Sequence, residues 1–402
     1  MGDGVDLRAR LHRVQARLLY TAPRLLFPQA HPTHRDTVGA ERAGSSAEPI
    51  ARTLRMDLTG GKCDGTANST RRSWICVMTR QIAQIAMENA SPPPPGMRWI
   101  PGGTFRMGAE GSYPEEAPVH MVTVSGFWMD VHAVTNTAFA AFSDATGYRT
   151  VAERPLNPAL YPGADPALLV PGSAVFFMPT GRADINDVRS RWVYVPGADW
   201  RHPEGPNSDV AGRECEPVVH VALEDAAAFA AWAGKDLPAE AEWECAARGG
   251  LDGALYVWGN EFTPGGRWMA NTWQGQFPFR DEGRDGFAGR APVGSFPPNG
   301  YGLYDMAGNV WEWTSDWYSG SHPAEAEGPC CVPVNPRGGS EARSYDPAQP
   351  HVRIPRKVIK GGSYLCAPNY CRRYRPAARH PQMIDTSTCH IGFRCIVRGT
   401  NG

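Results

Sequence analysis

The chain has 402 residues and a mass of 43.8 kDa, with 40 Lys+Arg against 41 Asp+Glu. Balanced charge argues against a general binder of nucleic acid or anionic membrane, whose affinity rests on a basic surface, and no run of about 18 apolar residues offers a membrane span. The 44 Gly and 37 Pro, set beside 13 Trp, are far above the usual share; they argue against a helical bundle or a doubly wound parallel sheet and for a chain of many turns and few long helices that buries large aromatics.

Residues 1–91 differ from the rest, with 13 Lys+Arg against 8 Asp+Glu and little periodicity. Leu7–Leu26 could form a short Arg-rich helix, but Arg8, Arg10, Arg13 and Arg17 interrupt any apolar core of a secretory signal. A transit peptide fits the Arg-rich composition. The simpler reading is a disordered leader, or upstream sequence translated from a misassigned start, with Met78 and Met87 as alternative starts. Residues 92–96, Pro-Pro-Pro-Pro-Gly, form a stiff linker, and a single domain is expected over 97–398.

Patterning begins at once after the linker. Met97–Gly108 reads as a strand, a Gly turn and a strand, and Val119–Met129 alternates like a further strand. Thr135-Asn136 can cap a helix running through Phe139 and Phe142 to Thr146, stopped by Gly147. Glu224–Ala233 predicts a small-residue helix ending at Gly234. Pro238 would lie in the first turn of another, Ala239–Arg248, stopped by Gly249-Gly250. Beyond Leu251 the sequence predicts turns and short strands.

Ten cysteines in a chain this long do not imply a disulfide scaffold. The one tight pair is Cys366-x4-Cys371. On spacing alone a plain disulfide or two buried thiols is the better explanation. Arg372, Arg373 and Arg375 follow at once; a cation close to a thiol lowers its pKa and favours the reactive anion.

Several segments together resemble the formylglycine-generating enzyme family, also called sulfatase-modifying factors. They include WIPGGTFRMG (99–108), DWRHPEGP (199–206), AWAGKDLPAEAEWECAARGG (231–250), ANTWQGQFP (270–278), NGYGLYDMAGNVWEWTSDWY (299–318), KGGSYLCAPNYCRRYRPAAR (360–379) and GFRC (392–395). The resemblance covers about 98–397. GNVWEW occurs across a wider superfamily, whereas the piece carrying the cysteine pair is specific to this family. The resemblance implies an α+β, C-type-lectin-like fold of low regular secondary structure, in agreement with the composition.

The resemblance further implies that Cys366 and Cys371 hold Cu(I), for which paired thiolates are suitable soft ligands. The reaction it implies consumes O2 and converts a cysteine in a Cys-x-Pro-x-Arg segment of a sulfatase polypeptide to Cα-formylglycine, releasing the sulfur as sulfide. Ser363 would hydrogen-bond to bound oxygen or sulfur, with a turn serine as its plain alternative. Trp311 and Tyr370 would wall the site, with core packing as theirs. Two structural Ca2+ sites are implied: Asn271, the Thr272 carbonyl, Asp285 and the Phe287 carbonyl; and Asp305, the Gly308 and Val310 carbonyls and Glu312. Turn capping explains the same residues equally well. Ala367 and His390 depart from better-known members, and His390 is expected to change charge near neutral pH. His202 would border the peptide groove or simply hold a turn.

The positions that pair with cysteines in eukaryotic relatives are Ala230, Ala247 and Pro376, leaving Cys395 without a partner. This suits a cytoplasmic location, and a monomer is expected. Cys63, Cys76, Cys330 and Cys331 receive no role. Two alternatives remain: a non-catalytic lectin-like binding module, and a histidine–iron sulfoxide synthase, against which the missing HxxxHxE set weighs.

Overall fold

The computed structural model describes residues 93–161, 169–181, 184–185, 187–322 and 332–399. The leader 1–91 and Cys63, Cys76, Cys330 and Cys331 lie outside the described residues. The architecture is α+β, with short strands and few helices strung on long turns.

Strands β1 (Met97–Ile100) and β2 (Gly103–Met107) follow the expected division. Val119–Met129 is instead broken in two, as β3 (His120–Val124) and β4 (Phe127–Asp130). The break has a packing cause. A Cβ on Gly126 would stand 2.3 Å from the Trp99 ring, so only glycine lets the chain turn beneath that indole. The turn sends β3 to pair with β2 and β4 to pair with β1. Strand β11 (Ile396–Arg398) takes the other edge of β4, so the first and last strands of the domain share one sheet.

Helix α1 (Asn136–Thr146) has its expected ends. Thr135 Oγ1 accepts from the Ala138 N–H, and Gly147 adopts the left-handed conformation at φ 66°. Its inward Phe139 and Phe142 meet Trp200, Phe229 and Phe393 in an edge-to-face cluster. Helix α2 (Leu223–Trp232) begins one residue earlier than expected, where Asp225 accepts the Ala222 N–H. Helix α3 (Glu240–Arg248) begins one residue later, so Pro238 lies before the helix cap rather than in the first turn. Strands β5 (Gly172–Phe176) and β6 (Trp192–Pro196) form an antiparallel hairpin.

The site rests on a four-stranded sheet of order β10-β7-β8-β9, from β7 (Trp311–Trp317), β8 (Arg356–Lys360), β9 (Arg379–Met383) and β10 (Ile391–Gly392). Buried ion pairs tie this sheet to α3: Arg379 to Glu240, and Lys360 to Glu244. The segment that leaves β8 is Gly361-Gly362-Ser363, and it carries the cysteine pair.

Candidate active site

Two successive turns place the thiols. The Ser363 carbonyl accepts the Cys366 N–H at 2.9 Å, and the Ala367 carbonyl accepts the N–H groups of Tyr370 and Cys371 at 3.0 and 2.8 Å. Pro368, at the second position of the latter turn, suits its fixed φ. Gly362, at φ 73°, admits the returning chain: a Cβ there would meet the Arg373 and Tyr374 backbone at 3.0 Å. The result brings Cys366 Sγ and Cys371 Sγ to 3.1 Å as separate free thiols rather than a disulfide. Cys366 is 2% exposed, whereas Cys371 is half-buried and lies between the exposed Asn369 and Arg372. Cys371 is thus the less deeply buried of the two.

The two sulfurs share a proton unequally. The Cys366 thiol donates to Cys371 and, against the cost of burial, holds the Cys371 pKa down to about 6, helped by the Arg373 guanidinium. Burial pushes Cys366 well above its ordinary value. Of the three arginines after Cys371, Arg373 is the one that acts on it. Arg375 forms a buried pair with Glu116, and the Arg372 N–H donates to Tyr113 Oη at 3.0 Å. Arg373 is itself clamped, 3.7 Å over the Tyr113 ring and 2.6 Å from Glu115 Oε1. This Tyr113–Glu115 clamp carries no motif of its own, and sequence reasoning missed it. In the metal-free, reduced protein, the rate of Cys371 alkylation by iodoacetamide is expected to rise with pH to a midpoint near 6, because the thiolate is the nucleophile. Arg373→Gln should move that midpoint upward; an unchanged profile would refute the assignment to Arg373.

Ser363 is fully buried, and its main-chain N–H, not its hydroxyl, approaches Cys366 Sγ, at 3.4 Å. Its Oγ accepts from the Leu365 N–H at 3.2 Å, as a turn serine does. Tyr370 flanks the pair and stacks on Phe277 with ring centres 4.4 Å apart. Trp311 belongs to the same buried cluster as Cys366 and stacks on His380. His390 corrects the expectation of a titrating group. It packs against Trp192, its Nδ1 lies 2.6 Å from Thr388 Oγ1, and burial lowers its pKa to about 3. It stays neutral near pH 7. His202 Nδ1 lies 3.2 Å from Asp199, which also accepts its main-chain N–H, so this histidine holds a turn.

The expected calcium loops are both next to the pair. The Trp273 N–H donates to the Cys366 carbonyl at 3.1 Å, and the Tyr364 N–H to the Asn309 carbonyl at 2.9 Å. In the first loop, Asp285 Oδ2 and the Thr272 carbonyl converge on the Gln274 side-chain amide, and Asp285 Oδ1 accepts from the Phe287 N–H. Thr272 Oγ1 is buried without a partner. The Asp285 carboxylate and the Thr272 carbonyl are hard oxygen donors of the type Ca2+ takes, and here they hold the Gln274 amide nitrogen between them. In the second loop Asp305 accepts from the Gly294 N–H. Glu312 accepts Arg394 at both oxygens, at 2.7 and 2.8 Å, and the Trp243 indole N–H at 2.7 Å. About four lone-pair sites per carboxylate leave Glu312 one to offer a cation. Among the described residues no three His, Cys, Asp or Glu side chains gather into a ligand cluster; a pair of thiols or a loop of carbonyls would not make one.

A family model described as "Sulfatase-modifying factor enzyme 1-like domain" matches residues 83–399. A formylglycine-generating enzyme from Mycobacterium tuberculosis is 54% identical over 307 residues, 75% of this chain and 98% of that protein. One from Thermomonospora curvata is 50% identical over 305 residues, 75% of this chain and 92% of that one. A Bos taurus protein named "Inactive C-alpha-formylglycine-generating enzyme 2" is 42% identical over 308 residues, 74% of this chain and 86% of that protein. Among solved structures, PvdO from Pseudomonas aeruginosa superposes with a TM-score of 0.51 at 23% identity, covering 77% of this chain and all of that one, which supports the fold alone. By the extent of the model match and the identity to full-length relatives, the chain belongs to the sulfatase-modifying factor enzyme 1-like family.

Proposed function

We propose that this protein oxidises a cysteine in a Cys-x-Pro-x-Arg segment of a sulfatase polypeptide to Cα-formylglycine, using O2 and a Cu(I) ion held by Cys366 and Cys371. Family membership alone does not carry this reading, since a relative named inactive shares the scaffold. The carrying observation is the thiol pair, 3.1 Å apart, with Cys371 the less buried of the two and its pKa lowered by the Cys366 thiol and Arg373. The donor set fits a soft monovalent metal: two thiols converge, one with its pKa lowered towards the thiolate. When bound, copper would supply the centre that activates O2 and a ligand position for the substrate sulfur.

The chain's own residues prepare that encounter. Arg373 stabilises the Cys371 thiolate, and the Tyr113–Glu115 clamp keeps Arg373 in place. The Ser363 N–H supports the Cys366 sulfur. Tyr370 and Phe277 form an apolar wall, and a dry wall strengthens every polar contact inside it. The net reaction takes the substrate thiol and O2, with two protons and two electrons from a thiol reductant, to an aldehyde, hydrogen sulfide and water. We place the enzyme in a reducing cytoplasm, acting as a monomer, where the free thiols of Cys245, Cys389 and Cys395 persist.

The test is direct. The copper-loaded protein is incubated in air with a Cys-x-Pro-x-Arg peptide and a thiol reductant. Mass spectrometry should show the cysteine replaced by an aldehyde that a hydrazide captures. A peptide recovered unchanged, from protein shown to carry copper, would reject the function.

Calcium is proposed as a structural ion, chiefly in the first loop. Saturating Ca2+ at about 100 times its Kd would stabilise the fold by about 2.7 kcal/mol. Chelation should therefore lower Tm, and added Ca2+ should restore it. Asp285→Asn should abolish that restoration. Identical melting with and without Ca2+ would show the loops to be held by hydrogen bonds alone.

A further inference from the structure

Arg191 is 0% exposed and lies against the stacked rings of Tyr370 and Phe277. It immediately precedes β6, and its carbonyl accepts the Phe177 N–H at 2.8 Å, so its backbone is fixed to the β5–β6 hairpin. Its Nη2 donates to Tyr370 Oη at 2.8 Å, and Nη1 donates to the Asp187 carbonyl at 3.2 Å. The guanidinium lies 4.9 Å from the Tyr370 ring centre and 5.5 Å from that of Phe277. Its Nε is buried without a partner. Asp187 directs its carboxylate to Arg189 instead.

A full cation is thus kept in the interior by two neutral oxygens and two ring faces. Among the described residues no carboxylate pairs with it; burying such a charge is costly, and filling the space would need only an apolar side chain. What the guanidinium does provide is direction. A tyrosine hydroxyl rotates to suit its partners, donating one hydrogen and accepting through oxygen. With Nη2 donating to Oη, the phenolic hydrogen must turn away from Arg191. Tyr370 is the residue before Cys371, and the turn from Ala367 fixes both backbones.

We propose that Arg191 is a positioning residue: it fixes the hydroxyl of Tyr370, the residue before Cys371, as a donor turned away from the guanidinium and available to a client cysteine segment at the thiol pair. The inference rests on the proposed function for its kinetic consequence, but not for the hydrogen bond itself. Losing one charge-assisted bond corresponds to a drop in rate of about tenfold.

The experiment compares full-length wild type, Arg191→Gln, Arg191→Lys, Tyr370→Phe and the Arg191→Gln/Tyr370→Phe double variant. In Arg191→Gln, kcat should fall about tenfold while KM for the peptide and the Cu(I) affinity measured by chelator competition hold. Arg191→Lys should recover part of the rate. The double variant should be no slower than Tyr370→Phe, because both changes remove one interaction. Tm should not fall in Arg191→Gln, since an unpaired buried charge is removed. Independently of copper and turnover, the 13Cζ signal of Tyr370, assigned by its loss in Tyr370→Phe, should shift in Arg191→Gln. An unmoved signal, or kinetic losses that add in full, overturns the proposal. A wild type that makes no formylglycine rejects the function, and the carbon signal then still decides the role of Arg191.

Discussion

Cys371→Ser and Cys366→Ser should each reduce formylglycine formation to background while leaving the circular dichroism and Tm close to wild type. A hydroxyl is a hard, neutral donor at pH 7, so either change leaves one soft ligand where a monovalent metal needs two. The fold should survive because the turns that place the sulfurs are closed by main-chain bonds, from Cys366 N–H to the Ser363 carbonyl and from Cys371 N–H to the Ala367 carbonyl. The two variants should differ in a second readout. Cys371→Ser removes the thiol whose pKa is lowered to about 6, so rapid alkylation near neutral pH should vanish. Cys366→Ser removes the thiol that donates to Cys371 Sγ, the largest influence holding that pKa down. A hydroxyl donates in its place, so Cys371 should stay reactive, with a shifted midpoint. Normal turnover by both variants would remove the copper pair from the mechanism altogether.

Much of this arrangement was legible along the chain, and the reason is locality. Helix α1 was readable because Thr135 and Gly147 signal its ends within a dozen residues, and the two turns around Cys366 and Cys371 lie within nine residues, from Ser363 to Cys371. What was not legible depends on partners far apart in sequence. Glu115 reaches Arg373 across 258 positions, and Arg191 reaches Tyr370 across 179. No periodicity links such pairs. Val119–Met129 misled because alternation continues across Gly126, and only the Trp99 indole above it explains why one strand became two. His390 misled for a related reason: an imidazole's charge is set by what surrounds it, and Trp192 comes to it from elsewhere in the fold.

Arg394→Leu should destabilise the fold by about 3–5 kcal/mol in denaturant unfolding. Arg394 is fully buried and binds both oxygens of Glu312, itself 1% exposed. It also donates to the carbonyls of Asp130 and Tyr304, and so ties β4, the loop before β7, and β7 together. Removing the guanidinium leaves a buried carboxylate with only the Trp243 indole N–H, and breaking a buried pair costs far more than replacing it whole. Glu312→Gln combined with Arg394→Leu should therefore recover a large part of the loss, because no uncompensated charge remains. The same variant probes the second calcium loop. Without Arg394, Glu312 has lone pairs to spare, and a cation held with Asp305 would neutralise it. If Ca2+ raises the Tm of Arg394→Leu more than that of wild type, the second loop binds the ion through Glu312. If Ca2+ moves both equally, that loop is closed by its own hydrogen bonds and by Arg394, and the stabilising ion belongs to the Asp285 loop alone.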